Sequence, residues 1–366
     1  MITLGEIFRR YGPAYREKVG ERLSARERVA MAAIEHCRTE ALGGHIYTCP
    51  RCATVRYSYH SCRNRHYPTC QHDQAQIWLA KQQALLLPIP YFLVTFTLPA
   101  ELRVVARQHP RRLYGLLFRS SARALQEMAA DRRFVGGQLG MVGVLQTWTR
   151  DLRYHPHIHY LVPAGAYASA EGRWVPAKGG FLVHVKPLAK LFRGKMRAGL
   201  RQVKLEAAVP SAVWSKAWVV DCRAVGSGEA ALKYLAPYVF RVALSNNRLE
   251  AVVHDQVTFR YRVAESKKTK RCTLPAEVFI RRFLQHVLPR GFVKVRYFGW
   301  FSPGKRAVLA KVRALLDVRE GAVGASSEER VTIVAQEHKE PSISCPNCGA
   351  VMELTLVLLR ASRSPP

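Results

Sequence analysis

Apolar and polar positions alternate with a period of two just after Pro156. His157, His159 and Leu161 fall on one face of the predicted strand, and Ile158, Tyr160 and Val162 on the other. Such a strand buries one apolar face and presents two imidazoles side by side on the opposite one. Residues 141–148 form a second apolar run after Gly136 and Gly137, and residues 149–156 lead back into the histidine strand. The two runs are therefore predicted to pair as a hairpin that brings Gln146 close to the histidines. Residues 91–98, rich in aromatic and β-branched types and preceded by Pro88 and Pro90, read as a buried strand. Strands are also predicted over 55–59, 214–222, 251–263 and 291–298.

Helical spacing predicts helices over 73–87, 110–130, 188–203, 227–241 and 275–288. Residues 1–43 are helical up to Gly43 and Gly44, with a capping box at Ser24 and Glu27. The pattern weakens after Trp300, 321–329 reads as a linker, and no internal repeat is evident. The mixture predicts an α+β fold with three parts: a helical, cysteine-rich N-terminal part over 1–85, a mixed helix-and-strand part over 86–300, and a tail over 301–366 carrying a Cys-x-x-Cys knuckle.

Composition narrows the function. The chain has 366 residues, 48% of them hydrophobic, which excludes a disordered chain. Its formal net charge is +31, which points to a polyanionic partner, most simply nucleic acid. No apolar run is long enough to span a bilayer. The first residues lack the basic and apolar regions of a signal peptide, so a cytoplasmic protein without membrane contact is expected. Arg103, Arg107, Arg111, Arg112, Arg119 and Arg123, in and before the 110–130 helix, form a candidate phosphate-facing stripe. Lys190, Arg193, Lys195, Arg197 and Arg201 make a second basic helix, and Lys267 and Lys268 lie in a basic turn.

There are nine cysteines. Clustering of this kind in a basic cytoplasmic protein favours zinc over disulfides. Cys49 and Cys52 are spaced to bind one zinc as thiolates. Cys70, with Cys62 or His66, is expected to complete the set, leaving Cys37 and His45 outside it. Cys345-x-x-Cys348 is half a site, open between zinc binding with a partner chain and a remnant.

The paired His157 and His159, with His155 beside them, suit a shared divalent cation, because neutral imidazole is a common metal ligand. Gln146 is either an amide satisfied within the sheet or a third ligand. Tyr234 and Tyr238 are four residues apart and share a helix face. Pro237 removes a helix hydrogen bond and is expected to kink or end the helix before Tyr238. A cation, a tyrosine pair and a very basic chain together suggest phosphodiester chemistry on DNA. The cation draws charge from the scissile phosphate, and a phosphotyrosine bond conserves the energy of the broken DNA bond.

His157-Ile158-His159 is a His–hydrophobic–His, or HUH, motif. With the cysteine module before it and the tyrosine helix after it, the chain resembles the two-tyrosine HUH transposases of rolling-circle insertion sequences, the IS91 type. The resemblance rests on residues 61–71 (SCRNRHYPTCQ), 145–163 (LQTWTRDLRYHPHIHYLVP), 233–246 (KYLAPYVFRVALSN) and 274–291 (LPAEVFIRRFLQHVLPRG), in the family's order, and spans roughly residues 30–300. It implies an HUH endonuclease domain with a central antiparallel sheet flanked by helices, plus a small N-terminal zinc-binding module. It further implies nicking and rejoining of single-stranded DNA at element ends. Tyr234 would be the first nucleophile and Tyr238 the second, with Mg²⁺ or Mn²⁺ on His157 and His159, Zn²⁺ in the N-terminal module, and unwinding left to host replication proteins. The chain departs from the family at three positions: Tyr67 stands for a cysteine, Gln146 for a frequent histidine, and Pro237 for a basic residue. Two other readings compete: a zinc-dependent DNA-binding protein without catalysis, and a metallohydrolase that activates water.

Overall fold

The computed structural model describes residues 2–240, 244–263, 266, 268–320 and 343–360. Two helices open the chain, α1 (Leu4–Val19) and α2 (Ala25–Glu35). Thr3 with Glu6 caps α1, and Ser24 with Glu27 caps α2; each pair is a capping box that satisfies two otherwise orphaned backbone donors. A hairpin of β1 (Gly44–Thr48) and β2 (Val55–Tyr59) follows, then α3 (His72–Gln83). Next come β3 (Pro90–Thr97), α4 (Arg103–Gln108), α5 (Pro110–Ala130), β4 (Gly140–Trp148) and β5 (Tyr154–Pro163). A small hairpin, β6 (Gly165–Ala168) and β7 (Arg173–Pro176), leads to α6 (Val185–Gln202), β8 (Val220–Ser227) and α7 (Gly228–Phe240). The meander β9 (Leu249–Val253), β10 (Gln256–Arg262) and β11 (Thr269–Pro275) precedes α8 (Ala276–Leu284) and β12 (Val295–Gly299). The chain ends in α9 (Arg306–Glu320) and β13 (Glu353–Leu358).

The central sheet has the order β12-β4-β5-β3-β8, and every neighbouring pair is antiparallel. Its two faces differ. Phe92, Val94 and Phe96 of β3, with Ile158, Tyr160 and Val162 of β5, pack under α5 and α6 in one continuous core. Each large apolar side chain buried there contributes about 1.5–3 kcal/mol. The polar end of Tyr160 is bonded to Ser121 Oγ at 2.8 Å. On the other face Tyr91, Leu93 and Leu161 pack against Ala231, Leu232 and Leu235 of α7, with Trp78 and Leu79 of α3 beside them. The histidines continue this second face along β5.

The cores cross the divisions read from the sequence. Leu4, Ile7 and Phe8 of α1 share a core with Phe279, Ile280 and Phe283 of α8, and the rings of Phe8 and Phe283 meet edge-on at 5.4 Å. After residue 300, Trp300, Leu309 and Val312 pack with Val142 of the central sheet.

Four expectations change. The strand expected over 251–263 is a hairpin, β9–β10, turned at His254 and Asp255 with φ of 45° and 59°. These residue types tolerate the left-handed region, but without an adjacent glycine the turn carries a weak signal. The strand expected from 214 starts only at Val220. Pro237 does not end its helix, because α7 runs on to Phe240. The tail, where the sequence pattern weakens, still forms a paired strand, since β13 pairs with β1 in a sheet of order β13-β1-β2.

Phe96 is fully buried and meets the rings of Tyr160 and Phe192 at 5.8 and 5.0 Å. Phe96→Ala is expected to lower the unfolding free energy by about 3–5 kcal/mol, measured by urea denaturation. A change below about 1 kcal/mol would contradict this account of the core.

Candidate metal and nucleic-acid site

The hairpin expected between the two apolar runs is present, and its register sets the site. Gln146 of β4 lies opposite His157 of β5, and Val144 opposite His159. On the other flank Thr97 of β3 pairs with His157 and Thr95 with His159. The two imidazoles are buried, with ring centroids 4.8 Å apart.

Hydrogen bonds orient both rings. His157 Nδ1 donates to the His155 carbonyl at 2.7 Å, so Nε2 of the neutral ring carries the lone pair. That lone pair faces Gln146 Oε1 at 3.0 Å, an acceptor facing an acceptor. Gln146 Nε2 is buried and has no partner among the described residues. Turning the amide over gives His157 Nε2 a donor instead. As placed, His157 Nε2 and Gln146 Oε1 direct lone pairs toward one another, a donor set that a metal ion would suit. His159 Nδ1 bonds Thr95 Oγ1 at 2.8 Å. His155 is set apart, because Arg103 Nη2 donates to its Nδ1 at 2.8 Å.

Burial pushes His157 down to about 4, against the hydrogen bond to the His155 carbonyl, which raises it, and holds His159 well below the usual histidine range, with help from His157 and Arg223. Both rings are therefore neutral at pH 7, the form that binds metals. Sequence reasoning missed Thr95, Asp221 and Arg223. Asp221 pairs with Thr95 and Arg223 with Leu93, so both stand on the histidine face. Only the pairing of β8 with β3 reveals this.

Helix α7 carries positions 234 and 238 one turn apart and lies on this same face of the sheet. The basic candidates are distributed differently. Arg111, Arg112 and Arg119 are exposed on α5, Lys190 is exposed on α6, and Arg193 is half-buried there. These helices cover the opposite face of the sheet, so the structure does not bring their charges to the histidines. Arg111 donates to the Arg290 carbonyl, and Arg193 to the Lys216 carbonyl at 2.6 Å. Lys268 is exposed in the turn between β10 and β11, and Lys267 lies outside the described residues. A cavity of about 790 Å³ lined by Arg119, Arg123, Lys195 and Tyr167 is also distant from the histidine face.

The single zinc set expected from Cys49, Cys52, Cys70 and Cys62 or His66 is not formed. The structure divides these residues between two clusters: Cys37, Cys62 and Cys70, and Cys49, Cys52, Cys345 and Cys348. Cys37, expected outside the set, is therefore inside a cluster. Its Sγ is 3.2 Å from Cys70 Sγ, which is 3.8 Å from Cys62 Sγ. His66 is turned away, because its Nε2 accepts the Leu288 N–H at 3.0 Å and its Nδ1 bonds Asn64 Oδ1 at 3.1 Å. Tyr67 is buried in the core beside these thiols.

Two family models match the chain: one described as "Putative transposase" over residues 140–308, and a "Transposase zinc-binding domain" over residues 7–98. The chain is similar to "Putative transposase y4qJ" of Sinorhizobium fredii, at 37% identity over 99% of this chain and 97% of the relative. It is also similar to the "Transposase for insertion sequence element IS801" of Pseudomonas savastanoi pv. phaseolicola, at 27% identity over 73% of this chain and 68% of that protein. No solved structure matches. Among the described residues, no helix is long and apolar enough to cross a membrane.

Because folding depresses His157, the unfolded chain takes up a proton near pH 6.5 that the folded chain refuses until about pH 4. The stability this group provides is fully present above pH 6.5 and is lost as pH falls toward 4. The loss over that window, measured by chemical denaturation in chelator, is expected to be smaller in His157→Gln than in wild type. Equal slopes would contradict the burial of a neutral His157.

Proposed function

The chain belongs to the transposases of the IS91 type, zinc-binding enzymes of insertion sequences that act on DNA, and from that premise we propose that it works as an HUH single-strand endonuclease and strand transferase in rolling-circle transposition. The observation that carries the proposal is the common face. The oriented imidazoles of His157 and His159 and the helix holding positions 234 and 238 lie on the same side of the central sheet.

In this reading His157, His159 and Gln146 would hold Mg²⁺ or Mn²⁺. When bound, the ion draws negative charge from the scissile phosphate. Thr95 positions His159 through its hydroxyl, and the His155 carbonyl fixes the tautomer of His157. The Tyr234 hydroxyl loses its proton and attacks phosphorus. The new phosphotyrosine bond forms on the 5′ side as the bond to the 3′ oxygen breaks, and that oxygen leaves protonated as a free 3′-OH. Tyr238 makes the second attack. The continuity of α7 through Pro237 supports this role, since both positions belong to one helix. Lys268 in the β10–β11 turn, together with Lys267 beside it in sequence, contacts DNA phosphates. Arg111, Arg112, Arg119, Lys190 and Arg193 hold other parts of the DNA, on the opposite side of the sheet.

Incubation with single-stranded element-end DNA and Mn²⁺ is expected to give a covalent protein–DNA adduct on a denaturing gel. Tyr234→Phe should give none, and His157→Ala should lose about a hundredfold or more. A Tyr238→Phe protein should still form the first adduct but fail to transfer it. Tight DNA binding with no adduct from wild type would instead favour a non-catalytic binder. An adduct that survives Tyr234→Phe would reassign the nucleophile.

Thr95→Val removes only the hydroxyl that orients His159. We expect about a 10–100-fold loss of Mn²⁺ affinity by calorimetry, with little change in stability. Unchanged affinity would remove Thr95 from the metal site.

A further inference from the structure

Two Cys-Pro-x-Cys segments, far apart in sequence, fold into the same knuckle. In residues 49–54, Cys49 N–H donates to the Thr54 carbonyl at 2.9 Å, and Ala53 N–H donates back to the Cys49 carbonyl at 2.9 Å. In residues 345–350, Cys345 N–H donates to the Ala350 carbonyl at 2.8 Å, and Gly349 N–H donates to the Cys345 carbonyl at 3.0 Å. The fifth residue of each segment is left-handed, Ala53 at φ 55° and Gly349 at φ 74°. The chain therefore contains a short structural repeat, contrary to the expectation of none. Its legible trace was the recurrence of Cys-Pro-x-Cys followed by a small residue.

The two knuckles face each other. Cys49 Sγ lies 3.5 Å from Cys348 Sγ, and Cys52 Sγ 3.5 Å from Cys345 Sγ. All four sulfurs lie within 4.8 Å of one another. These separations exceed a disulfide bond of about 2.05 Å. They match the roughly 3.8 Å edge of a tetrahedron with Zn–S bonds of about 2.3 Å.

Apart from the β1–β13 ladder and a few side-chain hydrogen bonds, such as that between the Thr48 and Thr355 hydroxyls at 3.0 Å, this end of the molecule has little apolar packing. The buried apolar residues around the knuckles are Cys49, Cys345 and Met352, and five of the six residues of β13 are exposed. A module with so small a core requires another source of stability.

We infer that Cys49, Cys52, Cys345 and Cys348 bind one zinc ion, and that this ion clasps the C-terminal strand β13 onto the N-terminal hairpin β1–β2. The zinc-binding module is then completed by the far end of the same chain, with no partner chain needed. Four thiolates leave no open position, so this ion is structural. The Cys37, Cys62 and Cys70 cluster is a separate group. The clasp is independent of the tyrosine chemistry proposed above.

The test uses the full-length protein, with its metal measured by native mass spectrometry and elemental analysis. Cys345→Ser/Cys348→Ser and Cys49→Ser/Cys52→Ser are each expected to hold one zinc fewer than wild type. The fourfold variant is expected to lose no more than that one. A full zinc complement in Cys345→Ser/Cys348→Ser, a loss of two ions in the fourfold variant, or iron in place of zinc would overturn the assignment. A second readout does not depend on how the variants fold. With a specific protease site inserted after Arg330, the cleaved C-terminal piece of wild type should co-elute with the body in zinc and separate from it in chelator. A piece that stays bound in chelator would show that the strand needs no clasp.

Discussion

Holding two imidazoles side by side in a buried strand is costly unless both rings are neutral and every nitrogen has a purpose. β5 meets this requirement by dividing its residues cleanly. Ile158, Tyr160 and Val162 sink into the core under α5 and α6, which locks the register. A one-residue slip would place the histidines in that core and Tyr160 outside it. The locked register sets Gln146 opposite His157 and Thr95 opposite His159. The pieces of the site thus come from three strands and are fixed by packing on the other side of the same sheet.

The helix that seals the second face depends on the same register. Ala231, Leu232 and Leu235 of α7 rest on Tyr91, Leu93 and Leu161, and Leu161 is two residues from His159 along one strand. Position 238 follows position 234 by one turn of a helix that Pro237 does not terminate. Helix α1 likewise runs on through Pro13. Distant segments also meet at the chain ends. The N-terminal helices share a core with α8, and the β13-β1-β2 sheet joins residues some three hundred positions apart.

Much of this was legible in the sequence, and the reasons differ by element. The period of two in β5, the glycine-bounded run of β4 and the capping box at Ser24 are local signals, and each formed the element it predicted. The family's motifs were legible as well, because they are short and contiguous. Pairings between distant segments were not. Asp221 and Arg223 reach the histidine face only through β8 beside β3. The partner of Cys49 and Cys52 was sought nearby, at Cys62, His66 and Cys70, because spacing informs only about neighbours. His66 stands near the cysteines in sequence as an alternative to Cys62, yet the backbone of Leu288 occupies its nitrogen. The arginines in and before α5 read as a stripe and α6 as a second basic helix, but local pattern carries no sign that the sheet separates both helices from the histidines.

Anomalous diffraction from a crystal of the protein soaked in Mn²⁺ tests the central claim most directly. The account predicts a peak bonded to His157 Nε2 and His159, with the Gln146 amide oxygen turned toward it and Thr95 retained on His159. A structure without a peak there, in which the Gln146 amide donates to His157 Nε2 in saturating metal, would contradict it.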